Sequence, residues 1–160
     1  MKIEIIPAYH KKEEIRTLFG EYTEQLAEGD AEFRDYLKIQ HYEDELEHPE
    51  KKYGFPGGRL YMALCDGNVA GCVALRKLDE QRCEMKRLYV REDYRGNGIG
   101  NLLTDKLIRE AKKIGYRHLL LDTFPFLERA VGMYQARGFR EIEKYNDSPM
   151  ASTIYMMLDL

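Results

Sequence analysis

The sequence predicts an α/β domain built on a mixed sheet, in the order β-α-α-β-β-β-α-β-α-β-β, and three observations carry that prediction. Segments that alternate apolar and polar residues are interleaved with segments whose apolar residues recur every three to four positions. Asp66-Gly67-Asn68 stands between two strand-like runs and is a strong hairpin signal, so part of the sheet is antiparallel. The stretch from Cys83 to Leu121 reads strand–helix–strand, which calls for a right-handed crossover between parallel strands.

Taken in order, residues 2–6 alternate and form a first strand that Pro7 ends. From Lys12, the set Ile15, Leu18, Phe19, Tyr22 and Leu26 keeps helical spacing up to Gly29. A second helix is expected from Ala31 to Glu47, capped by Asp30 and stopped near Pro49. Lys51–Gly58, with one proline and three glycines, reads as a loop. Strands follow at Arg59–Cys65, Val69–Leu78 and Cys83–Val90. Ile99 to Ile114 is a long amphipathic helix that Gly115 closes. His118–Leu121 is a continuous apolar run, the mark of a strand covered on both faces. A helix over Leu127–Arg137 and strands near Phe139–Lys144 and Ser152–Leu158 complete the chain.

The 160 residues, 44% hydrophobic and 33% charged, suit one domain over residues 1–160 and exclude disorder. No apolar stretch approaches the ~20 residues of a membrane span. The start, Met1-Lys2-Ile3-Glu4-Ile5-Ile6, has no apolar export core, so a cytoplasmic location is expected. Cys65, Cys72 and Cys83 are an odd, widely spaced set in strand segments, which fits buried thiols rather than disulfides or zinc. A net charge of -3 leaves no nucleic-acid footprint. Its distribution is uneven: residues 1–58 hold 14 acidic and 8 basic side chains, and the remainder is net positive.

Chemistry concentrates in Arg95-Gly96-Asn97-Gly98-Ile99-Gly100, three glycines at alternate positions between a strand and a helix start. Glycine lets backbone approach a ligand without a Cβ in the way, and free N–H groups at a helix N-terminus bind anions such as phosphate. The alternative is a glycine-rich turn without a ligand. No G-x-x-x-x-G-K-[ST] loop is present. A dinucleotide-binding oxidoreductase is a rival, because Asp122 ends the next strand where a ribose-binding acid belongs. The spacing G-x-G-x-G and the distance of the first glycine from Val90 count against it.

The segment Arg95–Gly100 matches the [QR]-x-x-G-x-[GA] signature of the GCN5-related N-acetyltransferase (GNAT) superfamily, and the chain resembles that family in context as well. The signature follows a strand and opens an amphipathic helix, and Ala130–Phe139 is similar to the family's A-x-x-x-Y-x-x-x-G-F. The resemblance runs from about Arg59 to the end; residues 8–57 match only as helices. It implies a splayed mixed sheet and transfer of an acetyl group from acetyl-CoA to a primary amine by direct attack in a ternary complex, the acceptor being a small cationic amine or an amino-acid-like metabolite. No metal is required, a homodimer is common in the family, and a non-catalytic CoA-binding module is the alternative from another class. Leu127 stands where relatives often carry a cofactor-binding Asn.

Under that resemblance, the backbone of Gly96, Asn97, Gly98, Ile99 and Gly100, with Arg95, holds the pyrophosphate, and a backbone N–H within Leu88-Tyr89-Val90 polarises the thioester carbonyl. Tyr134 is the expected proton donor to the departing thiolate, or else a packed core tyrosine. Glu84, expected on one strand face with Lys86, Leu88 and Val90, is the candidate base, or else a salt-bridge partner of Lys86 or Arg87. His41, Glu45 and His48 share a helix face, but a solvated acidic helix explains them better than zinc. The acidic stretch Glu43–Glu50 is expected to border the acceptor and favour a cationic amine, unless it only faces solvent. Asn146-Asp147-Ser148-Pro149 either covers the acceptor, with Tyr145 and Asp147 near the amine, or is a plain hairpin loop.

Overall fold

The computed structural model describes residues 1–160. Alternation within the strands dictates a sheet with two apolar faces. In β2 (Arg59–Cys65), Tyr61, Ala63 and Cys65 turn to one face, and Leu60 and Met62 turn to the other. The first face packs against α5 (Ile99–Ile114) through Ile99, Leu103, Leu107 and Ala111, with Tyr134 of α6 (Glu128–Ala136) in the same core. The second packs against Ile15, Leu18 and Phe19 of α1 (Lys12–Gly29) and Tyr53 of α4 (Pro49–Tyr53).

The sheet has seven strands in the order β1-β2-β3-β4-β5-β7-β6, where β1 is Ile3–Pro7, β3 Asn68–Lys77, β4 Arg82–Val90, β5 His118–Thr123, β6 Arg140–Ile142 and β7 Ile154–Asp159. Only β4 and β5 pair in parallel, joined through α5 as the crossover; every other neighbour is antiparallel. A doubly wound dinucleotide fold needs a mostly parallel sheet, so that rival reading is excluded.

The helical stretch expected over Ala31–Glu47 is broken instead into α2 (Phe33–Ile39) and α3 (Tyr42–Glu47), followed by α4. His41 takes a left-handed backbone (φ 55°), which turns the chain between α2 and α3. Pro49 opens α4 rather than ending a helix, since at the first helical position its missing N–H costs nothing. Asp30 accepts the Glu32 N–H at 3.0 Å, making a turn ahead of α2 rather than its cap. All three cysteines are buried and free, as their strand positions predict.

One irregularity shapes everything downstream. Between the pairs Cys72↔Tyr89 and Ala74↔Lys86, β4 spends one residue more than β3, and Arg87 absorbs it with φ 61°. The bulge inverts the side-chain alternation. Cys83 and Met85 before it, and Leu88 and Val90 after it, all pack on the α5 side. Glu84 and Lys86 therefore do not share a face with Leu88 and Val90, contrary to simple period-two counting. They turn to the side of α1 and α2.

Candidate active site

The segment Arg95–Gly100 leads into α5 through two left-handed glycines, Gly96 (φ 83°) and Gly98 (φ 78°). A side chain at either would be strained, so the chain itself requires glycine there. Gly100 differs. It lies within the helix, and a Cβ added to it would meet only a Val90 methyl at 3.9 Å. Nothing in the protein demands glycine at that point, although it costs the helix about 1 kcal/mol relative to alanine. The missing Cβ instead leaves room for a ligand to approach. No side chain caps α5, and its first closed turn runs from the Leu102 N–H to Gly98 O at 3.0 Å. The N–H groups of Ile99, Gly100 and Asn101 are left without an acceptor in the chain, an anion site in form and charge. Arg95 is held over the loop by bonds from Nε to Val90 O (3.0 Å) and from Nη2 to Gln25 (3.3 Å), both uncharged partners.

From this loop a cavity of about 670 Å³ runs into the gap between β4 and β5. Those strands last pair at Glu84↔Leu120 and then diverge, so Met85–Val90 and Leu121–Phe124 line opposite walls. The Arg91 N–H bonds to Ala70 O on the β3 side at 2.8 Å, while Val90 O accepts Arg95 on the other. Strand alternation then turns the N–H groups of Leu88 and Val90 toward the side that β5 has left, whereas Tyr89 faces β3.

Tyr134, in the last turn of α6, is 6% exposed and lines the cavity, and its hydroxyl has no hydrogen bond within the protein. Burial raises its pKa, with the nearby Tyr22 and Asp122 adding to the rise, so the phenol keeps its proton. Leu127 occupies the N-cap of α6 without a capping bond and gives the cavity an apolar wall. Glu84 is buried but does not line the cavity; its Oε2 accepts the Tyr145 hydroxyl at 2.6 Å and its Oε1 lies 3.5 Å from Arg76. Of the two expected proton carriers, the structure brings Tyr134 to the gap and keeps Glu84 away.

Of the side chains at the far end, sequence reasoning passed over Tyr36, gave Asp122 to a different ligand and weighed Asn146 only within a loop that covers the acceptor. Asp122, at the mouth of the gap on β5, accepts the Tyr36 hydroxyl from α2 and Asn146 Nδ2 (2.8 Å), both on Oδ2. Its Oδ1 takes no bond from the protein. Asn146 Oδ1 accepts Tyr155 at 2.9 Å, so the loop before β7 braces this wall, while Asp147 faces solvent. Lys86 lines the same end. The available signal was the run Glu84-Met85-Lys86-Arg87, three charges in a central strand that has no solvent to point them at.

The acidic stretch mostly faces solvent, with Glu43, Asp44, Glu47 and Glu50 exposed and Glu45 the exception. Glu45 is buried and paired with Arg87 (2.7 Å) and Lys52 (2.8 Å), and Glu47 pairs with Arg16 (2.8 Å). No residue of α3 lines the cavity. His41, at the break, and His48, beside Glu50, make no metal cluster with Glu45. Burial alone would raise the Glu45 pKa, but Arg87 and Lys52 overcome it and bring the carboxyl to about 2.

The chain is similar to known proteins in sequence and in fold. An N-acetyltransferase of Schizosaccharomyces pombe, itself uncharacterised, is 40% identical over 131 residues, covering 81% of this chain and 80% of its own. A GNAT-family acetyltransferase of Staphylococcus aureus superposes with a TM-score of 0.76 at 25% identity, over 99% of both chains. An N-acetyltransferase of Thermoplasma acidophilum, solved with coenzyme A, superposes with a TM-score of 0.75 over the whole of both chains at 18% identity, a likeness of fold. The family model described as the acetyltransferase (GNAT) family matches residues 15–139, and the chain belongs to that family.

Proposed function

We propose that the protein is an acetyl-CoA-dependent N-acetyltransferase that joins the acetyl group to a primary amine by direct attack within one cavity. The observation that carries this reading is the continuity of that cavity. It begins at an uncapped helix start, passes the diverging strands and the free Tyr134 hydroxyl, and ends at the unpaired Oδ1 of Asp122. Acetyl-CoA, when bound, supplies an activated acetyl thioester. The free N–H groups of Ile99, Gly100 and Asn101, with Arg95, hold the diphosphate, and Gly100 makes room for it. The N–H groups of Leu88 and Val90 face the gap, where donors aimed at a developing oxyanion lower the barrier.

Two protons must move. An amine arrives as an ammonium of pKa about 10 and has to shed one before its lone pair can attack. Asp122 Oδ1 is the group placed to take it, in the role that sequence reasoning gave to Glu84. As the carbon–nitrogen bond forms and the carbon–sulfur bond breaks, the Tyr134 hydroxyl gives its proton to the departing thiolate, and the second proton shed by the nitrogen restores it, so that only the first leaves the site. The test is to incubate the protein with acetyl-CoA and a panel of primary amines and follow free thiol. Release above the amine-free background is expected for at least one amine. CoA binding with no release across a broad panel would make the protein a binding module.

A further inference from the structure

At and behind the walls of the cavity's far end, the buried charges nearly all have partners. Arg87 and Lys52 share Glu45 at 2.7 and 2.8 Å, and Arg76 faces Glu84 at 3.5 Å. Asp122 is held by two neutral donors, Tyr36 and Asn146. Lys86 is the exception. It is 6% exposed, lines the cavity with Nζ 5.9 Å from the Tyr36 ring centroid, makes no ion pair within 4.0 Å and donates no hydrogen bond to the protein; the Glu84 and Asp122 carboxylates act on it only from beyond that range. A buried cation without a counter-ion is costly unless a ligand supplies one. The β4 bulge makes the position possible, because it turns Lys86 toward α2 while Leu88 and Val90 keep to the α5 side.

From this geometry we infer that the acceptor carries a carboxylate beside its amine, and that Lys86 pairs with that carboxylate while the amine lies toward Asp122. The inference rests on the N-acetyltransferase reading and names the acceptor class for the same cavity. Lys86 and Asp122 each lie two residues beyond the last parallel pair, Glu84↔Leu120, on facing walls of the gap. An acceptor of amino-acid form matches one unpaired cation and one half-used carboxylate. A dianionic phosphate would bring one negative charge too many for the lone lysine. The acidic stretch expected to favour cations lines no part of the cavity and mostly faces solvent, so it sets no carboxylate there against an anionic group.

The test compares three forms of one acceptor. The twenty amino acids are screened by thiol release with acetyl-CoA, and the best is compared with its primary amide and its decarboxylated amine. The carboxylate form should be preferred in kcat/KM by roughly 10²-fold, the scale on which an unpaired buried charge discriminates. Lys86→Met should shrink that ratio to about threefold or less, through KM for the carboxylate form, with Lys86→Arg restoring part of it. Calorimetric CoA affinity within about threefold of wild type shows that each variant is folded. A wild-type enzyme that turns over amide and decarboxylated amine as well as the amino acid overturns the inference and leaves the transferase reading standing. So does a Lys86→Met protein that loses all three acceptors equally, which would give Lys86 a part in the transfer itself. Release of no thiol with any amine overturns the transferase reading and the inference together.

Discussion

The two ends of the cavity are built from different materials. At the loop end the distinctive groups along the cavity are backbone: N–H groups at an uncapped helix start and glycines without Cβ atoms, all within residues 96–101. At the far end they are side chains from distant parts of the chain, with Tyr36 from α2, Lys86 from β4 and Asp122 from β5, the last braced by Asn146 from the loop before β7. A backbone site is local and tolerates change around it, so long as the turn survives. A side-chain site depends on many long-range contacts, and a change in one partner propagates through the rest.

The largest effect should therefore come from the side-chain end, at a residue that touches no ligand. Glu45→Gln removes the carboxylate that neutralises Arg87 and Lys52, leaving a buried guanidinium unpaired at the β4 bulge. A loss of about 3–5 kcal/mol in denaturant unfolding is expected. The same pair sets an acid limit. The folded carboxyl titrates at about 2, below its ordinary range near 4.3, so its stabilisation is complete above that range and fades as pH falls toward 2. Unfolding curves between pH 5 and pH 2 should show this component in wild type and lack it in Glu45→Gln. Parallel pH dependences for the two proteins would mean that Glu45 does not hold Arg87.

Where the two ends meet, Tyr134→Phe keeps the ring among Phe139 and its neighbours and removes only the hydroxyl. A fall in kcat of roughly 10²-fold with little change in CoA affinity is expected if that hydroxyl protonates the thiolate. Near-normal kcat would leave Tyr134 as packing.

At the backbone end, Gly100→Ala should act in opposite directions on folding and on binding. The free protein gains up to about 1 kcal/mol of helix stability, read as a higher Tm, while CoA affinity drops by about tenfold or more as the Cβ enters the space kept for the diphosphate. A gain in both would remove the argument that Gly100 is kept for a ligand. The smallest effect belongs outside both ends. Asp105→Asn breaks a half-exposed pair with Arg137 at 2.7 Å and should shift stability by at most about 1 kcal/mol, without altering CoA affinity.

The same contrast explains what the sequence disclosed. Strand order, the crossover through α5 and the glycine loop are encoded in short windows: period-two runs, Gly115 as a left-handed helix stop, and Gly96 and Gly98 in the turn. The break at His41 was hidden, because a left-handed histidine leaves helical spacing intact on either side. So was the bulge at Arg87, and with it the face on which Glu84 and Lys86 lie, since counting by twos assumes an unbroken ladder. Glu84 stood out as a mid-strand acid, but its partners Tyr145 and Arg76 come from other segments, and no local pattern announces them. Asp122 was visible at a strand end and drew attention for a different ligand. Its link to Tyr36 spans 86 residues of sequence.

The division of the cavity into a backbone end for CoA and a side-chain end for the acceptor is tested most directly by one set of calorimetric titrations of CoA. Wild type, Gly100→Val, Tyr134→Phe and Lys86→Met are compared under the same conditions. Gly100→Val should lose at least about tenfold in affinity, while Tyr134→Phe and Lys86→Met bind within about threefold of wild type. Normal CoA affinity in a folded Gly100→Val protein, or a Lys86→Met protein that loses CoA as badly, would contradict that division.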